Sequence, residues 1–144
     1  MKHFSFTIEG THDDTAGNAI PKIRKTKRQQ WTPEAQRYVA WKEHVQRSFF
    51  DSLIGIDYPT HLRFMNVFKK PIKLFTDEKA VMDLKIFWRD RKHGDPENIF
   101  GSIADALFFN DKFLDGSFKS EVAKDGKGRV EVNIIVNDPE LHES

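Results

Sequence analysis

One α+β domain, with a mainly antiparallel or mixed sheet and two main helices, is the fold that this sequence predicts. Three observations predict it. Apolar and polar residues alternate in several short runs, the pattern of strands with one buried face. Two proline-containing helix starts, Thr32-Pro33-Glu34 and Asp95-Pro96-Glu97, each open a stretch of helical apolar spacing. The length of 144 residues, 38% hydrophobic and 31% charged, suits one compact domain and not two, so residues 1–144 are assigned to it. The expected order is β-α-β-β-α-β-β.

Phe4, Phe6 and Ile8 alternate with Ser5, Thr7 and Glu9, which predicts a first strand ended by Gly10. Thr11 to Ala19 is small and polar and reads as a loop. Thr32 as N-cap, Pro33 at the first helical position and Glu34 near the positive end of the dipole start a helix running to about Leu53. Its expected apolar stripe is Ala35, Val39, Val45, Phe49 and Leu53, with Arg37, Lys42, Glu43 and Arg47 in water. A weaker strand is expected over residues 61–68, and a clearer one where Met82, Leu84, Ile86 and Trp88 alternate with Asp83, Lys85 and Phe87. Asp95 caps the second helix, which buries Ile99, Ile103, Ala106 and Leu107 and ends near Phe109. Strands near 117–123 and 129–136 are then expected as a hairpin across Asp125-Gly126-Lys127-Gly128, followed by a frayed tail over 137–144.

With no cysteine, disulfide scaffolds, Cys-based zinc sites, iron–sulfur clusters and thiol nucleophiles are excluded. Nothing in the sequence reads as a membrane span or a signal peptide, so a soluble protein of the reducing cytoplasm is expected. Gly-rich phosphate loops, HExxH pairs and nucleophile elbows are missing too, which removes support for nucleotide-hydrolase, zincin and esterase readings.

The formal net charge of +1 hides a polarised chain. Residues 21–50 carry eight cations (Lys22, Arg24, Lys25, Lys27, Arg28, Arg37, Lys42 and Arg47) against Glu34 and Glu43, a net +6. Residues 95–115 carry Asp95, Glu97, Asp105, Asp111 and Asp115 against Lys112, a net −4. A dense basic run beside a helix is one way to collect phosphates, each contact releasing condensed counterions; an ordinary solvated loop is the other reading of such a run. At about 100° per residue, Asn98, Asp105, Gly101 and Glu97 are expected on the wet side of the second helix, with Asp95 capping it. Carboxylates so placed suit Mg²⁺ or Mn²⁺, which takes hard oxygen ligands. Singly, each acid has a structural explanation, Asp95 as a cap and Glu97 as a first-turn acid. His93, two residues before Asp95, is placed to assist a phosphate or a metal, although an exposed loop histidine usually does neither.

Two blocks of the chain resemble the RusA family of Holliday-junction resolvases. The first is Ile20-Pro21-Lys22-Ile23-Arg24 with Trp31-Thr32-Pro33-Glu34 and Arg37-Tyr38. The second is Asp95-Pro96-Glu97-Asn98-Ile99, Asp105-Ala106-Leu107 and Asn110-Asp111. The resemblance implies a homodimeric, Mg²⁺-dependent (or Mn²⁺-dependent) endonuclease of a bacterial or phage-infected cell that resolves four-way DNA junctions by paired phosphodiester hydrolysis. By position it makes Asp95, Glu97 and Asp111 the metal-binding, catalytic carboxylates, with Asp115 competing for the third place and Asn98 and Asp105 in support. Lys22, Arg24, Lys25, Lys27, Arg28, Arg37 and Lys92 are the expected DNA-binding cations. Three departures stand out: Glu97 where Asp is usual, Gly101 where many members have a catalytic Lys, a cation that Lys92 or Lys112 could replace, and a short stretch from Asp105 to the acidic pair, which leaves Asp115 a competitor to Asp111. The first two motivate the alternative of a cleavage-defective relative that still binds branched DNA. Phe108 or Phe109 is expected in the core, with a junction wedge or a dimer contact as the competing roles.

Overall fold

The computed structural model describes residues 2–23, 32–53, 79–108 and 114–137. The expected strand over 61–68, the cations Arg24, Lys25, Lys27 and Arg28, the residues Phe109, Asn110, Asp111 and Lys112, and the tail beyond Asn137 lie outside them. Within the described residues the order is β1 (Lys2–Glu9), α1 (Pro33–Leu53), β2 (Lys79–Trp88), α2 (Pro96–Leu107), β3 (Leu114–Val122) and β4 (Arg129–Asn137). This is the α+β class that the sequence predicts. Asn137, expected in the tail, is the last residue of β4, where it pairs with Lys79.

The four strands form one mixed sheet in the order β1-β4-β2-β3. β4 pairs antiparallel with both β1 and β2, while β3 pairs parallel with β2. The expected hairpin between the last two strands is therefore absent: β3 and β4 lie on opposite sides of β2. Composition explains the correction. Val130, Val132, Ile134 and Val136 give β4 a fully buried face and suit the centre, whereas β3, rich in Ser, Lys and Glu, is exposed along nearly its whole length and takes the edge. The parallel pairing of β2 and β3 needs a crossover, and α2 supplies it.

Alternation along β2 is strict at Ala80, Met82, Leu84, Ile86 and Trp88, all buried. One sheet face packs against the helices, and the other, with Ser5, Asp83, Lys85, Glu131 and Asn133, faces solvent. α1 starts as the sequence predicts, Thr32 Oγ1 accepting from the Ala35 amide at 3.1 Å. Its buried stripe differs: Ala35, Val45 and Phe49 are buried as expected, but Val39 is 41% exposed and Tyr38 and Trp41 take the core face. One residue is about 100° of helix, and the turn that buries two large rings against the sheet and α2 moves Val39 out. α2 buries Ile99, Ile103, Ala106 and Leu107 as expected, together with Ser102 and Ala104. Phe108 is also buried, so of its three expected roles the core is the one observed.

The two helices are sutured by polar groups. Trp41 Nε1 donates to Ser102 Oγ at 3.0 Å, and Ser102 Oγ donates to the Ile99 carbonyl at 2.9 Å. Gln46 Nε2 donates to the Ala106 carbonyl at 2.8 Å. A buried donor left without a partner costs about 1–3 kcal/mol, so such bonds fix which face of α1 meets α2.

Candidate functional site

The amino end of α2 is built by its own sequence. Asp95 has extended backbone, φ −77° and ψ 126°, and its Oδ1 accepts from the Glu97 amide at 2.9 Å. Pro96 needs no amide hydrogen at the first helical position, so the start costs no unpaired donor. Such a cap contributes about 1 kcal/mol. Asp95, Glu97 and Asn98 are all exposed, as the sequence predicts. Asp95 Oδ2 has no hydrogen-bond partner among the described residues. Two outward carboxylates with a spare oxygen are a donor set that fits a hard divalent cation.

Beside this helix start lies the end of the first basic block. The Lys22 amide donates to the Asn98 carbonyl at 2.9 Å. Pro21 covers Gly94, whose missing Cβ would stand 3.4 Å from Pro21 Cγ. The side chain of Lys22 lies across Gly101. Residues 20–23 thus form a strap over the first two turns of α2, which sets Lys22, the first cation of the basic run, beside the acidic helix start.

On the other side of the strap, a cleft of about 620 Å³ opens between residues 14–21, Arg37 on α1 and the loop 89–94. Its cations are Arg37, Arg89 and Lys92, with His93, Asp14 and Asp90 among them. Asn18 holds the two walls together: its Nδ2 donates to the Lys92 carbonyl at 3.0 Å and its Oδ1 accepts from the Arg89 amide at 2.6 Å. Arg89 Nη1 is 2.6 Å from Asp14 Oδ2, and the Ala16 amide together with Arg89 holds the Asp14 carboxyl below the usual carboxylate range. The His93 ring stacks on Trp88, centroids 4.1 Å apart and 7° from parallel, and its Nδ1 donates to the Gly94 carbonyl at 2.8 Å. Trp88 Nε1, buried, has no hydrogen-bond partner among the described residues.

Several expected site residues are therefore together: Asp95, Glu97 and Asn98 with Lys22 at the helix start, and Arg37 with Lys92 in the adjoining cleft. Others are not. Asp105 is not on the wet side of α2; it turns toward α1, where its Oδ2 accepts from Tyr38 Oη at 2.9 Å and from Lys42 Nζ at 3.3 Å. The reason is that Tyr38, once in the core, brings a hydroxyl that needs an acceptor. Burial and the neighbouring carboxylate push the Tyr38 hydroxyl's pKa well above the ordinary phenol range. Lys42 is correspondingly half-buried rather than free in water. Asp115 is paired with Val81 at the start of β2, where its Oδ1 accepts from the Gly116 amide. Among the described residues it forms no cluster with Asp95 and Glu97, and no three acidic or histidine side chains converge to hold a metal.

Arg89 and Asn18 line the cleft and are candidate site residues that the sequence reading missed. Arg89 had a signal, the charged run from Arg89 to His93 just after a strand. Asn18 had none, because its role depends on a loop 71 residues away. No protein-family model and no curated protein matches the chain. Among the described residues, no helix is long and apolar enough to cross a membrane.

Proposed function

We propose that the protein is a Mg²⁺-dependent, structure-selective endonuclease that resolves four-way DNA junctions, working as a homodimer in the cytoplasm. What supports this most is the strap: the Lys22–Asn98 backbone bond sets the end of the basic block beside the acidic start of α2. A metal nuclease needs these two halves adjacent, cations to hold phosphates and carboxylates to hold the ion. Asp95 and Glu97 are the residues that would hold Mg²⁺, which when bound supplies charge neutralisation and a lower pKa for water.

Arg37, Lys92 and Arg89 hold the flanking phosphates in the cleft, and Asn18 keeps the walls at a fixed spacing. Backbone contacts of this kind position a duplex without reading its sequence. Hydrolysis forms a bond from a water oxygen to phosphorus, breaks the phosphorus bond to one sugar oxygen, and leaves a water proton on that oxygen. Two subunits acting on one junction account for paired nicks. The third carboxylate of the resemblance, Asp111, lies outside the described residues.

Incubating an end-labelled four-way junction with Mg²⁺ and the protein tests the proposal, with Asp95→Asn as control. Nicks near the crossover by wild type and none by the variant are expected; equal cleavage by both, or none by either at any pH or metal, overturns it. The second reading, a relative that binds junctions without cutting them, is favoured by one observation, that Asp115 does not join Asp95 and Glu97. It predicts salt-sensitive junction binding that survives Asp95→Asn, with no nicks from either protein.

A further inference from the structure

Lys22 has a more particular place than a basic loop residue. Its backbone is tied down by the bond to the Asn98 carbonyl, so its Cα cannot wander. Its stem runs over Gly101: a Cβ at that position would lie 3.4 Å from Lys22 Cδ and 3.6 Å from Lys22 Cβ. Gly101 is four residues from Glu97 and three from Asn98, so all three share one helix face. The stem therefore crosses the face that carries Glu97, while the residue as a whole stays exposed. Lys22 makes no ion pair with any described residue, Glu97 and Asp95 included. Lys22 is thus a cation held on the same end of α2 as the exposed acids, with no ion pair among the described residues, and it is placed to take an anion from outside.

We infer that Lys22 is the residue that contacts the scissile phosphate from the strap side, its stem lying over the small residue Gly101 of α2. This rests on the endonuclease reading given above. Lys22 supplies charge only: its ammonium stabilises the added negative charge on the phosphate oxygens as the water bond forms, and it neither gains nor loses a proton. Arg37 and Lys92, in the cleft, serve flanking phosphates instead.

Single-turnover cleavage and metal-free junction binding are measured for wild type, Lys22→Met, Lys22→Arg, Gly101→Ala and Gly101→Leu. Lys22→Met is expected to cut about 100-fold more slowly, in the range for losing one charge-stabilising contact. Its affinity changes about threefold or less, since one phosphate contact among many is lost. Lys22→Arg recovers most of the rate. Gly101→Ala is close to wild type, whereas Gly101→Leu, whose side chain displaces the stem, reproduces the slow rate with binding intact. Equal losses of rate and affinity in Lys22→Met, or a fast Gly101→Leu, overturn the inference.

A readout independent of cleavage separates the two ideas. Replacing the crossover phosphate by a neutral methylphosphonate weakens wild-type binding but not that of Lys22→Met if the contact exists. Wild type that binds with this coupling yet never cuts removes the endonuclease reading and keeps the contact. Cleavage without the coupling does the reverse.

Discussion

Asp105 and Asp95 stand ten residues apart on the same stretch of chain, and the structure uses them in opposite ways. Asp105 sits in the seam between α1 and α2, its side chain 22% exposed, one carboxylate oxygen accepting from both Tyr38 and Lys42. Asp95 stands in solvent at the helix start, one oxygen on the cap and the other without a partner among the described residues. The seam is a region where polar groups meet their partners within the protein; at the helix start the second Asp95 oxygen and the Lys22 ammonium have none among the described residues. Polar satisfaction of this kind marks architecture, and exposed, convergent, unsatisfied charge marks a place for a ligand.

Breaking the seam should unfold the protein, and breaking the helix start should spare its stability. Trp41→Ala removes a fully buried ring and its bond to Ser102, and is expected to cost about 3–5 kcal/mol in urea unfolding. Asp95→Asn keeps a good N-cap residue, so its urea midpoint should stay near wild type. Its junction cleavage, by contrast, should fall at least about 100-fold, because a metal ligand carries several kcal/mol of charge stabilisation. A matching fall in stability would place Asp95 with the seam instead.

Asp105→Ala takes an acceptor from the Tyr38 hydroxyl and the Lys42 ammonium, a loss of about 1–3 kcal/mol with junction affinity unchanged. Reduced affinity at full stability would move Asp105 to the functional region. Tyr38→Phe should cost about 1 kcal/mol near neutral pH. It also has a pH signature. The Tyr38 pKa is raised in the folded protein, so above the unfolded value of about 10 the unfolded chain gives up a proton that the folded one keeps. Wild-type stability should therefore fall as pH rises above about 10, and the variant should lose that part of the slope. Smallest of all, Arg37→Ala or Lys92→Ala should leave stability alone and reduce the salt slope of junction binding by about 0.9 each. An unchanged slope would empty the cleft of its proposed role.

Much of the fold was legible locally. The cap at Asp95 was readable because it depends on three consecutive residues, and the core positions of β2, β4 and α2 were readable because a period is a property of a single element. Val39 was misplaced because an apolar stripe around a helix is ambiguous by one residue until a partner surface chooses the side. The Asp125-Gly126 turn suggested a hairpin because turn chemistry reports a reversal and not the neighbour that the returning strand will find. The candidate site divides in the same way: Asp95, Glu97 and Asn98 could be placed in water from helical spacing, whereas Asn18 and Arg89 needed the loops to meet.

By itself, then, the sequence determined the class of fold, most element boundaries, the burial of the strands and the exposure of the acids at the start of α2. These follow from interactions between residues close in the chain, where spacing and geometry are given in advance. Only the tertiary structure decided the order of the strands, the capture of Asp105 by Tyr38 and Lys42, and the strap that carries Lys22 onto Gly101. Each of these is a contact between residues dozens of positions apart. Which of the available partners a buried hydroxyl, a central strand or a lysine stem takes depends on the whole packing and on no single segment.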